Sequence, residues 1–464
     1  MTTGSERADV AIVGGGPAGA AAAEQAAAYG AETVLFEQGV PREDREGLGP
    51  DSTDAAGMLD YWVDILDIPF SEIPDEVVLR ELEGCDFVGP TSEVELNSTG
   101  IDASYPGFGF TFDRTRMDDW LHERATDAGA DLRIGTGVSA LKSERTSSGY
   151  SHRLTLASGE ELVADRVVLA DGPQRRITID ALDQFLPDDR SASDALSPPR
   201  ANHIAYQEYR EFPPELFSEF DDRLKFWWGH IPGETAYPWI FPNDGTVARV
   251  GLTMPIGMDL ADVPNRDSYK LLRPGDARIP TGGEYVRRLL EAEYGDEYDV
   301  ESEIPRVEDR GKSKGTETYP ISSTRPIDSP VGAGIAVAGG AMGTTSAFHE
   351  GGYHVAVRTG SIAGRLAASG TLDRYNDVWK RAIGAEILRN VSFADMVADY
   401  EPDDWDRVFE VVNGMTDAGS AGVLLDRKYA AGIGASKILA GYKRRKFRYR
   451  NGRYVQLAED EYAV

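Results

Sequence analysis

Six residues near the start of the chain, Gly14-Gly15-Gly16-Pro17-Ala18-Gly19, have the types and spacing that receive an anion on backbone. Their G-x-G-x-x-G pattern follows an apolar strand, Asp9–Val13, and opens an alanine-rich helix that runs to Tyr29. In that setting Gly14 permits the tight turn, Gly16 lets backbone approach a diphosphate, and Gly19 lets helix pack closely on strand. The free N–H groups and the dipole of the helix N-terminus favour the negative charge. Glu37 closes the next strand, Thr33–Phe36, 18 residues after Gly19, where its carboxylate can accept from a ribose diol. Two more glycine turns follow apolar strands further on, Ala170-Asp171-Gly172 and Ala338-Gly339-Gly340-Ala341-Met342-Gly343. The chemistry that this constellation suits is dinucleotide binding.

Other chemistries lack their residues. His349 and His354 are five apart, so they do not share a helix face as ligands at i and i+4 would, and the other four histidines are scattered. No metal site is expected. One cysteine, Cys85, in 464 residues excludes a disulfide framework, a thiolate zinc site and an iron–sulfur cluster held by this chain alone. The chain carries 78 acidic and 48 basic residues, a net charge of −30, and only ten of the basic residues are lysine. Nucleic-acid phosphates would meet a like-charged surface, so DNA and RNA are not expected partners. Dispersed acids with few lysines fit a salt-adapted, halophilic cytoplasm, because the Debye length at molar salt is only ~3 Å. Against that background the run Lys443-Arg444-Arg445-Lys446, with Arg448, Arg450 and Arg453, stands out. It would meet either an anionic lipid surface or the protein's own acidic face, and salt screening favours the second.

The elements that must position these residues read as a mixed α/β chain. A helix is expected over 53–66 from Met58, Trp62, Ile65 and Leu66. Short strands follow at Val77–Glu81, Asp86–Val88 and Phe108–Phe112, and a helix from Arg114 to just before Gly129. Strands at Asp131–Ile134, His152–Leu156 and Arg166–Ala170 continue the α/β pattern. Residues 203–210, 224–230, 236–241 and 246–254 are aromatic and β-branched between Pro/Gly turns, the pattern of an antiparallel sheet. Residues 335–368 read as a last strand, a glycine loop and a long helix. The tail reads as helical until Asn451-Gly452, taken as the turn of a hairpin between Phe447–Arg450 and Arg453–Leu457. The expected division is a discontinuous Rossmann-like unit (1–75, 113–200, 325–385), an antiparallel-sheet substrate unit (76–112, 201–324) and a mainly helical C-terminal region (386–464).

With its three glycine turns the chain resembles FAD-dependent oxidoreductases of the p-hydroxybenzoate hydroxylase fold. It resembles more closely the geranylgeranyl reductase family, of the archaeal digeranylgeranylglycerophospholipid reductase kind. The family's Y-x-W-x-F-P stretch stands as Tyr237-Pro238-Trp239-Ile240-Phe241-Pro242, followed by Ala248-Arg249-Val250-Gly251. Its R-x-x-[FM]-D-x-x-L helix stands as Arg114 to Leu121, and its Tyr…Trp-Lys…Gly helix as Tyr375, Trp379, Lys380 and Gly384. The resemblance implies FAD as cofactor, with Gly14, Gly16, Ala18 and Gly19 at the diphosphate and Glu37 on the adenosine ribose. It implies Arg114 near the flavin, backbone of Val138 at the adenine, Asp171 and Gly172 with Gly339, Gly340 and Gly343 lining the cofactor, and Gly352 and Tyr353 against the isoalloxazine. Tyr237, Trp239 and Phe241 would line an apolar substrate pocket, a reading that core packing of the sheet matches evenly.

Two departures have consequences. The family aspartate that accepts from the FAD ribitol is Gly340 here, so weaker binding is expected unless water or a hydroxyl such as Thr344 or Thr345 fills the gap. The family's loop cysteine is missing from Arg45–Asp51, which removes a cysteine-based role in reduction. The implied activity is FAD-dependent saturation of geranylgeranyl double bonds, with a prenylated lipid or prenyl diphosphate as substrate and an unidentified electron donor. No residue stands out as the proton donor. A flavin monooxygenase on the same fold is the alternative. Halogenation is disfavoured, because flavin halogenases need a lysine in the N-terminal third and none precedes Lys142. A non-catalytic prenyl-lipid binder is the third reading, motivated by Gly340. The polar start MTTGSERADV and the lack of a long apolar run lead to the expectation of a cytoplasmic protein, with peripheral contact at the inner face of the membrane.

The charge balance generates a first test. Self-repulsion in a chain of net charge −30 destabilises the compact state when screening is withdrawn. The Tm is expected to climb steadily from low ionic strength to molar KCl. A Tm that stays flat across that range refutes salt adaptation.

Overall fold

The computed structural model describes residues 6–39, 56–147, 149–416 and 433–464. A seven-stranded mixed sheet forms the first layer, in the order Asp131–Ile134, Thr33–Glu37, Glu6–Val13, Glu161–Leu169, Gly149–Leu156, Val138–Thr146, with Ile335–Val337 paired to the end of Glu161–Leu169. Val13 lies opposite both Phe36 and Leu169, and Leu169 lies opposite Val337. These pairings are parallel, so the four strands end together and the turns after them all emerge at one edge. That edge is where open α/β sheets take their ligands.

Two helices cover this edge. Pro17–Ala28 follows the first glycine turn and Tyr353–Ala368 follows the last. They touch backbone to backbone: a Cβ on Gly360 would overlap the carbonyl of Ala18, and one on Gly364 the carbonyl of Ala22. Ala18, Ala22 and Ala26 form the matching stripe on the first helix, all buried.

The second layer is a seven-stranded sheet in the order Thr316–Ile321, His203–Glu211, Val247–Pro255, Tyr237–Pro242, Arg223–Trp227, Gly84–Val88, Glu93–Leu96. It is antiparallel except where Arg223–Trp227 runs parallel to Gly84–Val88. Alternation along its strands separates two faces. Ile240, Val250 and Leu252 pack under Tyr285, Val286 and Leu289 of the helix Gly282–Tyr294. Tyr237, Trp239 and Phe241 face the other way. A small sheet of Gly57–Leu59, Gly109–Phe112 and Val78–Leu82 joins the layers. Thr111 donates to the carbonyl of Pro242 at 2.8 Å, and Phe112 meets the ring of Tyr353 at 5.3 Å.

Three expectations are corrected. Gly57–Leu59 is a strand and the helix is only Asp60–Leu66, because Met58 pairs with Phe110 across the small sheet; residues 53–55 lie outside the described residues. The strand Val138–Thr146 was not expected; its alternate residues are exposed, so it lacks a strong apolar pattern. The C-terminal hairpin is absent, since Phe447–Tyr449 end the helix Ile433–Tyr449. Asn451 and Gly452 both have positive φ, 59° and 77°, as a hairpin turn would. The chain after them instead lies along residues 326–328, through Gln456 N to Pro326 O and Asp328 N to Leu457 O, both 2.9 Å. There Tyr454 and Leu457 join the main core.

The helix crossing generates a test. Gly360→Val must push the two backbones apart, and overpacking of this kind costs typically 1–3 kcal/mol or more. Chemical denaturation is expected to show a loss at or above the top of that range, together with lost FAD retention. Gly414→Ala, on a helix with open space at its Cβ, is the control and is expected to be neutral or to stabilise by up to ~1 kcal/mol. A Gly360→Val protein as stable as the parent overturns the close-packing account.

Candidate functional site

The first glycine turn is built so that only glycine serves at two positions. Gly14 has φ +102°, and a Cβ there would overlap the carbonyl of Ala170; a Cβ on Gly19 would overlap the carbonyl of Gly14. Gly16 is different, because a Cβ there meets nothing within 4 Å. It is the N-cap of the helix Pro17–Ala28 and no side chain caps it. Backbone N–H groups therefore face open space at the positive end of the helix dipole, including that of Ala18. Glu37 is held over this turn: its Oε2 accepts from Gly15 N at 2.5 Å and its Oε1 from Gly39 N at 2.6 Å. Each oxygen keeps lone pairs for a ligand hydroxyl. Thr136 donates to the carbonyl of Glu37 at 2.7 Å, which brings the start of the strand at Val138 beside it. His122, which sequence reasoning passed over, donates from Nε2 to the carbonyl of Gly15 at 2.6 Å and buttresses the turn.

The middle turn has a divided role. Asp171 accepts from Ile177 N at 2.7 Å, from Thr178 N at 3.1 Å and from Thr178 Oγ1 at 2.5 Å. Its carboxylate thus serves the start of the helix Arg176–Asp183, while Gly172, at φ +74°, has open space at its Cβ. Arg175 was also missed. It is fully buried and bonds to neutral acceptors: Ala341 O at 2.7 Å, Ser322 Oγ at 2.9 Å, and the carbonyls of Gly340 and Pro199 at 3.0 Å. Burial lowers its pKa to about 10, against the pull of Asp171, so the guanidinium stays charged at neutral pH. The only sequence signal was a second arginine in Asp171-Gly172-Pro173-Gln174-Arg175-Arg176.

The last turn rests on the first helix. A Cβ on Gly339 would come within 2.8 Å of the Cβ of Ala18, and one on Gly343 within 2.6 Å of Arg325 O. Gly340 is unstrained, with room for a Cβ at 3.4 Å from Pro173 N. The hydroxyl of Thr344 donates to Gly339 O at 2.9 Å, so it is committed to the turn's own backbone. Gly352 caps the helix Tyr353–Ala368, again without a side-chain cap. Arg114 opens the helix Arg114–Asp127; its guanidinium lies 4.5 Å from the centre of the Tyr353 ring and bonds Asp118 at 2.9 Å, and Tyr353 OH donates to the same Asp118 oxygen at 3.0 Å. Two of the expected flavin-side residues are thereby joined in one knot.

Tyr237, Trp239 and Phe241 share one buried sheet face, on which Tyr237 reaches the loop 344–352 and the Phe241 ring lies against Gly57 of the small sheet. Tyr237 OH donates to His349 O at 2.6 Å, and Trp228 stacks on both Tyr237 (4.3 Å) and Phe348 (5.1 Å). His349 and His354 both stack on Trp62, at 4.9 and 4.3 Å. The loop Arg45–Asp51 lies outside the described residues.

Residues 9–148 match the profile of the FAD dependent oxidoreductase family. The chain is 26% identical to digeranylgeranylglycerophospholipid reductase 2 of Methanopyrus kandleri, over 90% of this chain and 96% of that one. It is 25% identical to the geranylgeranyl diphosphate reductase of Synechocystis sp., over 82% of each. The chain is thus similar over most of its length to reductases of the geranylgeranyl type, and in its N-terminal part to FAD-dependent oxidoreductases. A geranylgeranyl bacteriochlorophyll reductase-like protein of Thermoplasma acidophilum shares the fold, with a TM-score of 0.65 at 20% identity over 97% of this chain and all of that one. FAD is the cofactor of this flavin-dependent oxidoreductase. Its residues suit that group: two uncapped helix starts, open space at Gly16 and Gly172, and an anchored carboxylate at Glu37.

Titrating apo-protein with FAD in high salt tests the cradle. Gly16→Val would fill the space beside the helix start and is expected to abolish FAD retention with secondary structure intact. Gly340→Asp, which the backbone accommodates, restores an acceptor for the ribitol worth ~1.5–3 kcal/mol, or roughly 10- to 100-fold in affinity. A Gly16→Val protein at full occupancy, or no tightening in Gly340→Asp, refutes the corresponding placement.

Proposed function

We propose that the protein saturates isolated double bonds of geranylgeranyl chains carried by membrane lipids or their precursors, a prenylated lipid or a prenyl diphosphate. The observation that carries this reading is the aromatic wall of Tyr237, Trp239, Phe241 and Trp228, joined through Trp228 to Phe348 of the loop before the long helix. The inner double bonds of a prenyl chain have no polar neighbour, so shape and dispersion against rings must hold them. Relatives named for that reduction, matched over most of both chains, support it. When bound and reduced by an external donor, FAD supplies the hydride for such a reduction. The chain's own residues hold the diphosphate at Gly14–Gly19 and the adenosine ribose at Glu37. Arg114 and Asp118 brace Tyr353 at the start of the long helix, and the aromatic wall excludes water from the alkene.

The substrate's location gives the basic C-terminus a role. Lys443, Arg444, Lys446 and Arg450 are exposed, and Phe447 among them is 57% exposed, with the Arg450 guanidinium 3.7 Å from its ring centre. Among the described residues one carboxylate, Asp395, serves this patch, at 3.4 Å from Arg445 and 3.6 Å from Arg448. That is too little acid to absorb the cluster internally. Peripheral contact with anionic headgroups follows, at about 1 kcal/mol per basic residue near the surface, reduced by salt. No helix among the described residues is long and apolar enough to cross a membrane.

The test is anaerobic incubation of dithionite-reduced, FAD-loaded protein with digeranylgeranylglycerol phosphate in vesicles. Mass spectrometry is expected to show two added hydrogens per saturated bond. Substrate-dependent oxygen uptake with a hydroxylated product would favour the monooxygenase reading. A purified protein that takes up no FAD would favour the lipid-binding one. Sedimentation with anionic but not zwitterionic vesicles, lost in Arg444→Glu/Lys446→Glu, checks the membrane contact.

A further inference from the structure

Glu350 belongs to the loop between the last glycine turn and the long helix, two residues before Gly352. Its φ is +58°, a left-handed conformation that favours glycine, yet a long side chain stands there and points into the protein. The side chain is 2% exposed. Its Oε1 accepts from Thr235 Oγ1 at 3.0 Å, and its Oε2 accepts from Thr253 Oγ1. Thr253 lies opposite Tyr237 across the sheet, and Tyr237 OH reaches His349 O, the residue before Glu350. The carboxyl thus sits where the flavin-side loop meets the aromatic wall.

No cation neutralises it among the described residues. The nearest basic group is His203, whose Nε2 is 3.5 Å from Oε1. That nitrogen donates to the carbonyl of Glu234 at 3.0 Å, and burial lowers the histidine's pKa, so the ring is neutral. The other groups that face the carboxyl are the threonine hydroxyls, the phenol of Tyr237 and the charge of Glu234, which disfavours a second anion. Burial, the largest cause, raises the pKa of Glu350 to about 8 although both threonines pull it down. At neutral pH the group is an acid with its proton on.

We propose that Glu350 is the general acid that completes alkene saturation, giving its proton to the carbon next to the one that receives hydride. This rests on the reduction proposed above. One new C–H bond takes the hydride that reduced FAD supplies, and the π pair of the alkene forms the other with the proton leaving Glu350. The alkene gains the two electrons that the reduced cofactor carries, and Glu350 is left as carboxylate until water reprotonates it. Backbone strain at a non-glycine residue is a feature that clusters at functional sites.

Glu350→Gln keeps the shape and can bond both threonines, but carries no acidic proton. The variant is expected to fold and to bind FAD with unchanged affinity, and to slow single-turnover saturation by at least about 100-fold, within the range general acids supply. The wild-type rate is expected to fall as pH rises through about 8, because the acid must be protonated. Two readouts are independent of turnover. Infrared spectra are expected to show a protonated carboxyl band at pH 7 that fades toward pH 9 and is missing in Glu350→Gln. The fold is expected to lose stability as pH rises from the ordinary carboxyl value of 4.5 to about 8, and the variant to lose that slope. If Glu350→Gln misfolds, Glu350→Asp serves, with an acid limb displaced in pH and a reduced rate. A Glu350→Gln rate within tenfold of wild type, or no titrating band, overturns the proposal. Wild-type protein that saturates no prenyl chain overturns the reduction instead and leaves the infrared result standing.

Discussion

The cofactor edge depends on backbone contact between two helices that lie more than 300 residues apart in sequence. Ordinary helix pairs keep their axes ~8–10 Å apart because side chains fill the gap. Here Gly360 and Gly364 remove those side chains opposite Ala18 and Ala22, and the helices meet at their carbonyls. The contact places the start of Tyr353–Ala368 beside the start of Pro17–Ala28, so two uncapped N-termini share one edge. Thr359 ties the last glycine turn into the same joint: Gly339 N donates to its Oγ1 at 3.0 Å, and that hydroxyl donates to Val355 O at 2.8 Å. A bulky residue anywhere along the stripe would displace the turn and the helix together.

The second layer is held to this joint through few polar bridges. Tyr237 reaches His349 O, Thr235 and Thr253 reach Glu350, and Arg249 reaches Phe112 O at 3.2 Å. All end on the loop 344–352 or on the small sheet below it. The aromatic wall is therefore positioned relative to the cofactor edge by the same short loop that carries Glu350. A backbone shift of that loop, unlike an isosteric side-chain change within it, would move cofactor edge, wall and acid together.

Local signals made much of this legible. Gly14 is demanded by its own positive φ and Gly19 by the nearby carbonyl of Gly14, both local constraints that spacing revealed, and the strand ends that gather the turns followed from apolar runs. The knot of Arg114, Asp118 and Tyr353 was half visible, as a helix motif and a flavin-side position with nothing in the chain to join them. Gly360 and Gly364 passed unnoticed because their reason lies on a helix from the other end of the sequence. The Asn451-Gly452 turn had the right dihedral angles for a hairpin, yet Tyr454 and Leu457 gain more by entering the core than the strand could by pairing with a basic helix end. Glu350 and Arg175 look like surface residues in sequence. Only tertiary burial makes them unusual.

Those two buried groups show how one physical cost leaves one group charged and the other neutral along one segment. Burial disfavours charge in both and moves each pKa toward neutrality. For Arg175 the shift ends at about 10, so the guanidinium remains a cation and spreads its charge over the carbonyls of Gly340, Ala341 and Pro199. For Glu350 it ends at about 8, above physiological pH, so the carboxyl keeps its proton. Arginine starts too far from neutrality to be discharged, whereas a carboxyl does not. The segment 339–352 thus has a permanent positive charge behind its first residues and a neutral acid near its end. The same cation, 3.0 Å from the carbonyl of Gly340, would attract a carboxylate at that position, which in this chain is glycine.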